Sequence, residues 1–174
     1  VGQEVTAVAY WKGEKVAEGS GIVKGEYAKI RLNIENPQLW SAGEPNLYDL
    51  VLTVGEDKVD SYFGIREVAY EDHKIKINGK PVFQRLILDQ GFYPDGIYTA
   101  PSDEELKKDV QRSLDCGFNG ARLHEKIFEE RFLYHCDTMG YLVWGEFANW
   151  GLELAGHFGW QGFIPEWLEE LKRD

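Results

Sequence analysis

The 174-residue sequence is short of positive charge, cysteine and long apolar runs, and each shortage closes off a class of function. Lys and Arg number 19 against 30 Asp and Glu, a net charge of −11, with no basic stripe to meet nucleic-acid phosphates. No apolar run approaches the roughly 18–20 residues of a membrane-spanning helix, so neither nucleic acid nor membrane is expected as a partner. The two cysteines, Cys116 and Cys136, are too few for the disulfide framework of a small secreted protein and form no Cys-x-x-Cys. Both sit in helix-like patterns and are expected to be buried free thiols. No set of ligands at zinc spacing accompanies them. Also missing are a Gly-x-Gly-x-x-Gly after a strand, a phosphate-binding Gly-Lys-Ser/Thr loop and a Gly-x-Ser-x-Gly elbow. His135 and Cys136 are neighbours on a helical pattern, where side chains point about 100° apart, which disfavours a Cys–His dyad. No internal repeat or low-complexity segment stands out.

What is present is enough apolar and aromatic residue, 43% and 14%, to bury a core. Residues 1–70 follow the two-residue period of half-buried strands. Gln3 to Tyr10 alternates around Val5, Ala7 and Ala9, and Trp11 to Lys15 is a turn signal. Ala28 to Ile34 alternates again, followed by Leu47 to Val54 and Lys58 to Phe63. Such runs between Gly, Asn and Pro clusters predict an antiparallel β-sandwich. About five strands are readable where an immunoglobulin-like module has about seven, so the N-terminus is expected to be a cut edge. Ile75 to Val82 is a hairpin turning on Asn78-Gly79, the pair that tolerates two successive positive φ angles.

Residues 71–83 are a bridge, and from residue 84 onward the period changes and the pattern reads as α/β. Arg85 to Leu88 is a short strand, and Gly91 to Pro101 a loop. Ser102 opens a helix with Glu105 placed for a capping box. That helix carries Leu106, Val110 and Leu114 on one face, and Gly117 stops it. Asn119 to Leu123 is the next strand. A second helix is predicted from about Glu125 to Met139, with Phe128, Phe132, Cys136 and Met139 buried, ending at Gly140. Tyr141 to Trp144 is a third strand, then come a long aromatic loop and a helix near 165–172. Alternation of this kind predicts right-handed crossovers and a parallel sheet. Three units cannot close a (β/α)8 barrel of about 250 residues. They form either a small open sheet or an incomplete barrel.

In parallel α/β architectures ligands meet the C-terminal strand ends. Here those ends read Asp89-Gln90, Arg122-Leu123-His124-Glu125 and Glu146 through Asn149 and Trp150. Each residue also has a structural reading. Asp89 can cap a turn, His124 can bond to backbone, and Glu146 can pair with Arg122 or Arg85. Aromatic faces beside carboxylates suit sugar rings, whose C–H faces stack on indoles while hydroxyls take hydrogen bonds. The aromatic loop (Phe147, Trp150, Phe158, Trp160, Phe163, Trp167) fits that chemistry and fits core packing equally.

Asn36-Pro37-Gln38-Leu39-Trp40-Ser41 followed by Glu44-Pro45-Asn46-Leu47-Tyr48 resembles a stretch of the immunoglobulin-like domain of glycoside hydrolase family 2. This is the β-galactosidase, β-glucuronidase and β-mannosidase family. Phe63-Gly64-Ile65-Arg66 resembles its link from sandwich to barrel, and Ile77 to Val82 its entry hairpin. Gly117 to Arg122 and Gly140 to Glu146 resemble the second and third barrel strands. The resemblance runs from about residue 30 to residue 150. It implies residues 1–70 as a partial immunoglobulin-like sandwich and 71–174 as the first three βα units of an incomplete TIM barrel.

The implied activity is retaining hydrolysis of β-glycosides, with acid/base and nucleophile glutamates expected beyond Asp174. The implied substrate-binding set is Asp89, Gln90, Arg122, His124, Glu146, Asn149 and Trp150, with no catalytic residue in this chain. No cofactor is implied. Where some members bind magnesium, four and six residues beyond Glu146, this sequence has Trp150 and Leu152, which implies no such site.

Other positions also depart from the family. Asp89-Gln90 stands where Arg-His commonly ends the first strand. His124 falls one place early in the second strand's motif, with Glu125-Lys126 replacing its remainder, and Asn149 falls one place late in the third. These changes imply a divergent subfamily and leave the sugar open. The linkage, the oligomeric state and the compartment (bacterial cytoplasm or periplasm) are open too. A non-catalytic carbohydrate-binding or interaction module is the alternative, and a small open α/β ligand-binding domain a third.

Overall fold

The computed structural model describes residues 2–146, arranged as two compact units that divide between Phe83 and Gln84. The predicted helix near 165–172, the aromatic loop, Asn149 and Trp150 lie outside the described residues. The boundary falls after the Asn78-Gly79 hairpin, so residues 71–83 group with the first unit.

The first unit is antiparallel. Strands β1 (Glu4–Trp11), β2 (Glu14–Ile22), β3 (Leu47–Val54) and β4 (Asp57–Gly64) pair in the order β2-β1-β3-β4. The β1–β2 turn places Lys12 and Gly13 at φ 51° and 85°, the geometry that a two-residue hairpin requires. Ala7 and Ala9 are buried on β1, and Tyr48 on β3 sits between Trp11 and Phe63 at ring separations of 5.0 and 5.2 Å. Tyr48 keeps its hydroxyl satisfied by accepting from the Gln38 amide at 2.6 Å, as a buried phenol must.

A smaller sheet follows: β5 (Val68–Glu71), β6 (Lys74–Ile77) and β7 (Lys80–Pro81). Its turn has Asn78 and Gly79 at φ 52° and 74°. Asn78 does more than turn the chain: its amide group donates to the Trp40 carbonyl and accepts from the Glu67 N–H, both at 3.0 Å.

One strand expectation is corrected. Residues 28–34 keep their alternation, with Ala28, Ile30, Leu32 and Ile34 half-buried, but make no ladder. The strands that flank β1 are β2 and β3, and β2 escapes the sequence pattern because Gly19 and Gly21 dilute it. Those glycines have a purpose. A Cβ at Gly19 would lie 2.7 Å from the Arg31 carbonyl oxygen, and one at Gly21 2.7 Å from that of Lys29. The 28–34 segment therefore crosses over β2 where side chains are missing.

The second unit carries β8 (Leu86–Asp89), α1 (Asp103–Asp115), β9 (Gly120–Leu123), α2 (Glu130–Met139) and β10 (Leu142–Gly145). The three strands are parallel in the order β10-β9-β8, as the alternation of elements predicts. Gly120 opens the central strand because nothing larger fits: a Cβ there would lie 2.5 Å from the Leu142 carbonyl oxygen and 2.6 Å from the Leu86 side chain.

Ser102 caps α1 by accepting from the Glu105 amide at 3.3 Å. Glu105 itself turns outward to Lys108 and Arg112. Leu106, Val110, Ala121, Leu123, Phe128, Phe132, Cys136 and Tyr141 form one core cluster, with Leu114 packed against it. The Tyr141 hydroxyl and Ser113 share a buried hydrogen bond of 2.6 Å.

Two further expectations are corrected here. Helix α2 begins at Glu130, not near Glu125, because Glu125 sits at φ 56°, which no right-handed helix allows. Cys116 is exposed at the C-cap of α1, while Cys136 is buried as expected. Among the described residues no helix is long and apolar enough to cross a membrane.

Candidate functional site

The ends of β8, β9 and β10 arise from register. Leu88 pairs with Arg122 and Asp89 with Leu123, while Trp144 pairs with Arg122 and Gly145 with Leu123. All three strands therefore finish at one level, and the residues after them share a rim. The ladder continues one step further, where the His124 amide donates to the Asp89 carbonyl at 2.8 Å.

At that rim five side chains are linked. The Gln90 side-chain nitrogen lies 3.1 Å from His124 Nδ1. His124 Nε2 faces Glu125 at 4.0 Å, with the imidazole only 11% exposed. The Arg122 guanidinium forms a salt bridge with Glu146, and the other Glu146 oxygen accepts from the Glu125 backbone amide at 3.3 Å. Of the two partners foreseen for Glu146, Arg122 is the one it takes. Arg85 lies at the opening of β8, where its Nε donates to the Gly117 carbonyl. The arginine beside Glu146, more than any other group, holds that carboxyl below the usual carboxylate range.

Asp89 behaves differently. Its Oδ1 accepts from the Gly91 amide at 2.8 Å, so the carboxylate caps the loop that follows β8. Burial raises its pKa above the ordinary value, against the opposing pull of that amide and of Lys126. Desolvation disfavours the charged form more than these partners favour it. Asp89 and Gln90 also border an open groove of about 750 Å³ alongside β8, with Leu88, Phe92 and Arg112.

His124, Glu125 and Glu146 each offer one ligand atom, all within 4.8 Å of one another. A nitrogen and two carboxylate oxygens are a donor set that a divalent cation of intermediate softness accepts, so these are the described residues that could hold one. Arg122 already supplies positive charge to Glu146. Glu125 stands at a strand end in the sequence but is absent from the expected substrate-binding set, and the same residue also reads as the start of a helix. Its left-handed backbone is what aims both its amide and its carboxylate at the strand ends. A polar residue directly following a strand-end histidine was the available signal.

The family model described as Glycosyl hydrolases family 2 matches residues 4–66. A Formosa agariphila protein bearing a β-glucuronidase name is 31% identical over 156 residues, covering 86% of this chain and 19% of that protein. A Staphylococcus xylosus β-galactosidase is 29% identical, covering 78% of this chain and 13% of that enzyme. Among solved structures, a Ruminococcus gnavus β-glucuronidase in complex with an N1-substituted uronic isofagomine shares the fold at a TM-score of 0.75, 24% identity, 85% coverage of this chain and 26% of that one. A Parabacteroides merdae β-glucuronidase does so at a TM-score of 0.72, 23% identity, 81% coverage of this chain and 19% of that one. The chain thus spans 19% and 13% of the lengths of the two curated relatives.

Proposed function

Since the chain belongs to glycosyl hydrolases family 2, we propose that it serves as the sandwich-to-barrel portion of a retaining β-glycoside hydrolase. On this reading residues 1–70 are part of an immunoglobulin-like β-sandwich, and β8 to β10 with their helices begin a TIM-barrel catalytic domain. The substrate-binding role falls to Gln90, Arg122, His124 and Glu146, with Asp89 shaping the rim and Asn149 and Trp150 following in sequence. The observation that carries the reading is the common level of the three parallel strand ends, each delivering polar side chains to the same edge. Charge-assisted hydrogen bonds from such groups hold a sugar ring in register at roughly twice the strength of neutral ones.

The Glu125 and Glu146 carboxylates approach within 4.8 Å, close to the separation of about 5–5.5 Å that retaining hydrolysis uses. Their chemistry argues for binding instead. Glu146 is committed to Arg122 on one oxygen and to a backbone amide on the other. A general acid needs a raised pKa, and Glu146 has the opposite shift; a nucleophile needs an oxygen free to attack, and both of its oxygens are engaged. The acid/base and nucleophile are accordingly assigned to residues outside this chain.

The purified 174-residue chain should show no turnover of aryl β-galactosides, β-glucuronides or β-mannosides. Turnover abolished by Glu146→Gln would place the catalytic pair here and defeat that assignment. In a full-length protein that contains this chain, alanine at His124 or Glu146 should lower kcat/KM while leaving the fold intact. Unchanged kinetics at both positions would remove the substrate-binding role.

A further inference from the structure

The loop from Gly91 to Pro101 joins β8 to α1 and is tied down by a residue from the neighbouring strand's exit. Lys126, two residues past His124, donates from Nζ to the Gly91 carbonyl at 3.0 Å and to the Tyr98 carbonyl at 2.9 Å. One ammonium thus bridges two points seven residues apart. The same ammonium sits over two rings, 5.3 Å from the Tyr98 centroid and 4.9 Å from that of Phe128, where the quadrupole of an aromatic face attracts a cation. Gly91 is buried and adopts φ 59°. A Cβ there would lie 2.7 Å from Lys126 Nζ and 2.9 Å from the Phe128 ring. Gly91, Lys126 and Phe128 therefore form one fitted set, and only glycine at 91 lets the ammonium in.

The consequence reaches the rim through Gly91. Its carbonyl is held by Lys126 and its amide by the Asp89 carboxylate. Asp89 in turn receives the His124 amide on its own carbonyl. Inside the loop, Tyr93 and Ile97 bridge in both directions at 2.7 and 2.9 Å. Ile97 holds φ 57°, a region that β-branched residues rarely enter and that persists only where surrounding contacts impose it. The loop is a strained conformation with a charged clasp across its base.

We propose that Lys126 is a positioning residue: its ammonium buckles the β8–α1 loop through the Gly91 and Tyr98 carbonyls and thereby holds the Asp89 carboxylate fixed at the strand end. Its importance for catalysis rests on the functional reading above, but the buckle itself does not, and it is tested without substrate. Burial lowers the pKa of Lys126 while Glu129 and Asp89 oppose the shift, which fits an ammonium partly withdrawn from water.

The test compares the 174-residue chain with Lys126→Met, which keeps the apolar stem, and Lys126→Arg, whose guanidinium can also reach two carbonyls and stack on rings. Hydrogen exchange is read at the amides of residues 92–99 and the Asp89 carboxyl is titrated by carbon NMR. With Lys126→Met, exchange in the loop should rise at least about tenfold, the equivalent of about 1.4 kcal/mol of local stability. The Asp89 titration should move to higher pH as a neighbouring positive charge is lost. Lys126→Arg should restore both in large part. Loop exchange and Asp89 titration unchanged in Lys126→Met overturn the proposal, as does acceleration spread evenly over α1 and α2. If Lys126→Met does not fold, the wild-type chain decides by nitrogen NMR of its lysine ammonium groups. A slowly exchanging Lys126 ammonium supports the buckle, and one that exchanges like a surface lysine overturns it.

Discussion

Asp89 shows how one carboxyl can serve a loop and still cost stability. Its folded pKa is raised, chiefly by burial. For a group shifted this way the folded state favours the proton. The stabilising contribution is complete below the unfolded pKa and is lost as pH rises through the folded value. At neutral pH the charged form is the less welcome one. Asp89→Asn keeps an oxygen for the Gly91 amide and removes the charge. The variant should be as stable as wild type or more so at pH 7, with the advantage vanishing below the ordinary carboxylate range. Urea midpoints at the two pH values check this. Glu146 runs the other way. Its depressed pKa means that its tie to Arg122 is present at neutral pH and is lost as pH falls through the folded value.

At the scale of elements, packing outweighs capping. Phe132 on α2 is 1% exposed in the core cluster and lies tilted against Phe128 at a ring separation of 5.0 Å. Truncation to alanine leaves a cavity, and Phe132→Ala should cost about 3–5 kcal/mol. Ser102→Ala removes one bond from the α1 cap and should cost about 1 kcal/mol. Chemical denaturation of the two variants side by side should separate them by at least about 2 kcal/mol. A smaller gap would mean that the second unit collapses around the missing ring.

The same elements explain what could be read in advance. Leu47 to Val54, the Asn78-Gly79 turn and Leu106 with Val110 were legible because period, turn chemistry and burial agreed there. Strand β2 was not, since its Gly19 and Gly21 serve a chain segment crossing over it, and such contacts leave no trace in local periodicity. The start of α2 was missed because Glu125 carries a left-handed backbone without being glycine or asparagine. At the rim, residue types at strand ends announced polarity. They did not announce that Asp89 would turn to its own loop while Glu125 joined His124 and Glu146.

Across the whole molecule the two units are held by different means. The first is a set of antiparallel hairpins whose neighbours in sequence are mostly neighbours in space, whereas the second brings β8 and β9 together only after a loop and a helix have been traversed. Contacts across long separations cost loop-closure entropy before they return any binding energy, so the parallel sheet depends on the shared core of α1 and α2. The two free thiols turn that dependence into a count. Cys116 is open to solvent, whereas Cys136 lies in the core with burial pushing its thiol far up from its usual value. A thiol reagent should therefore modify one equivalent under native conditions and a second only when the α2 core opens. The rate of that second reaction is a clock for the opening of the parallel unit. Phe132→Ala should speed it roughly a hundredfold or more, and Ser102→Ala by only about fivefold.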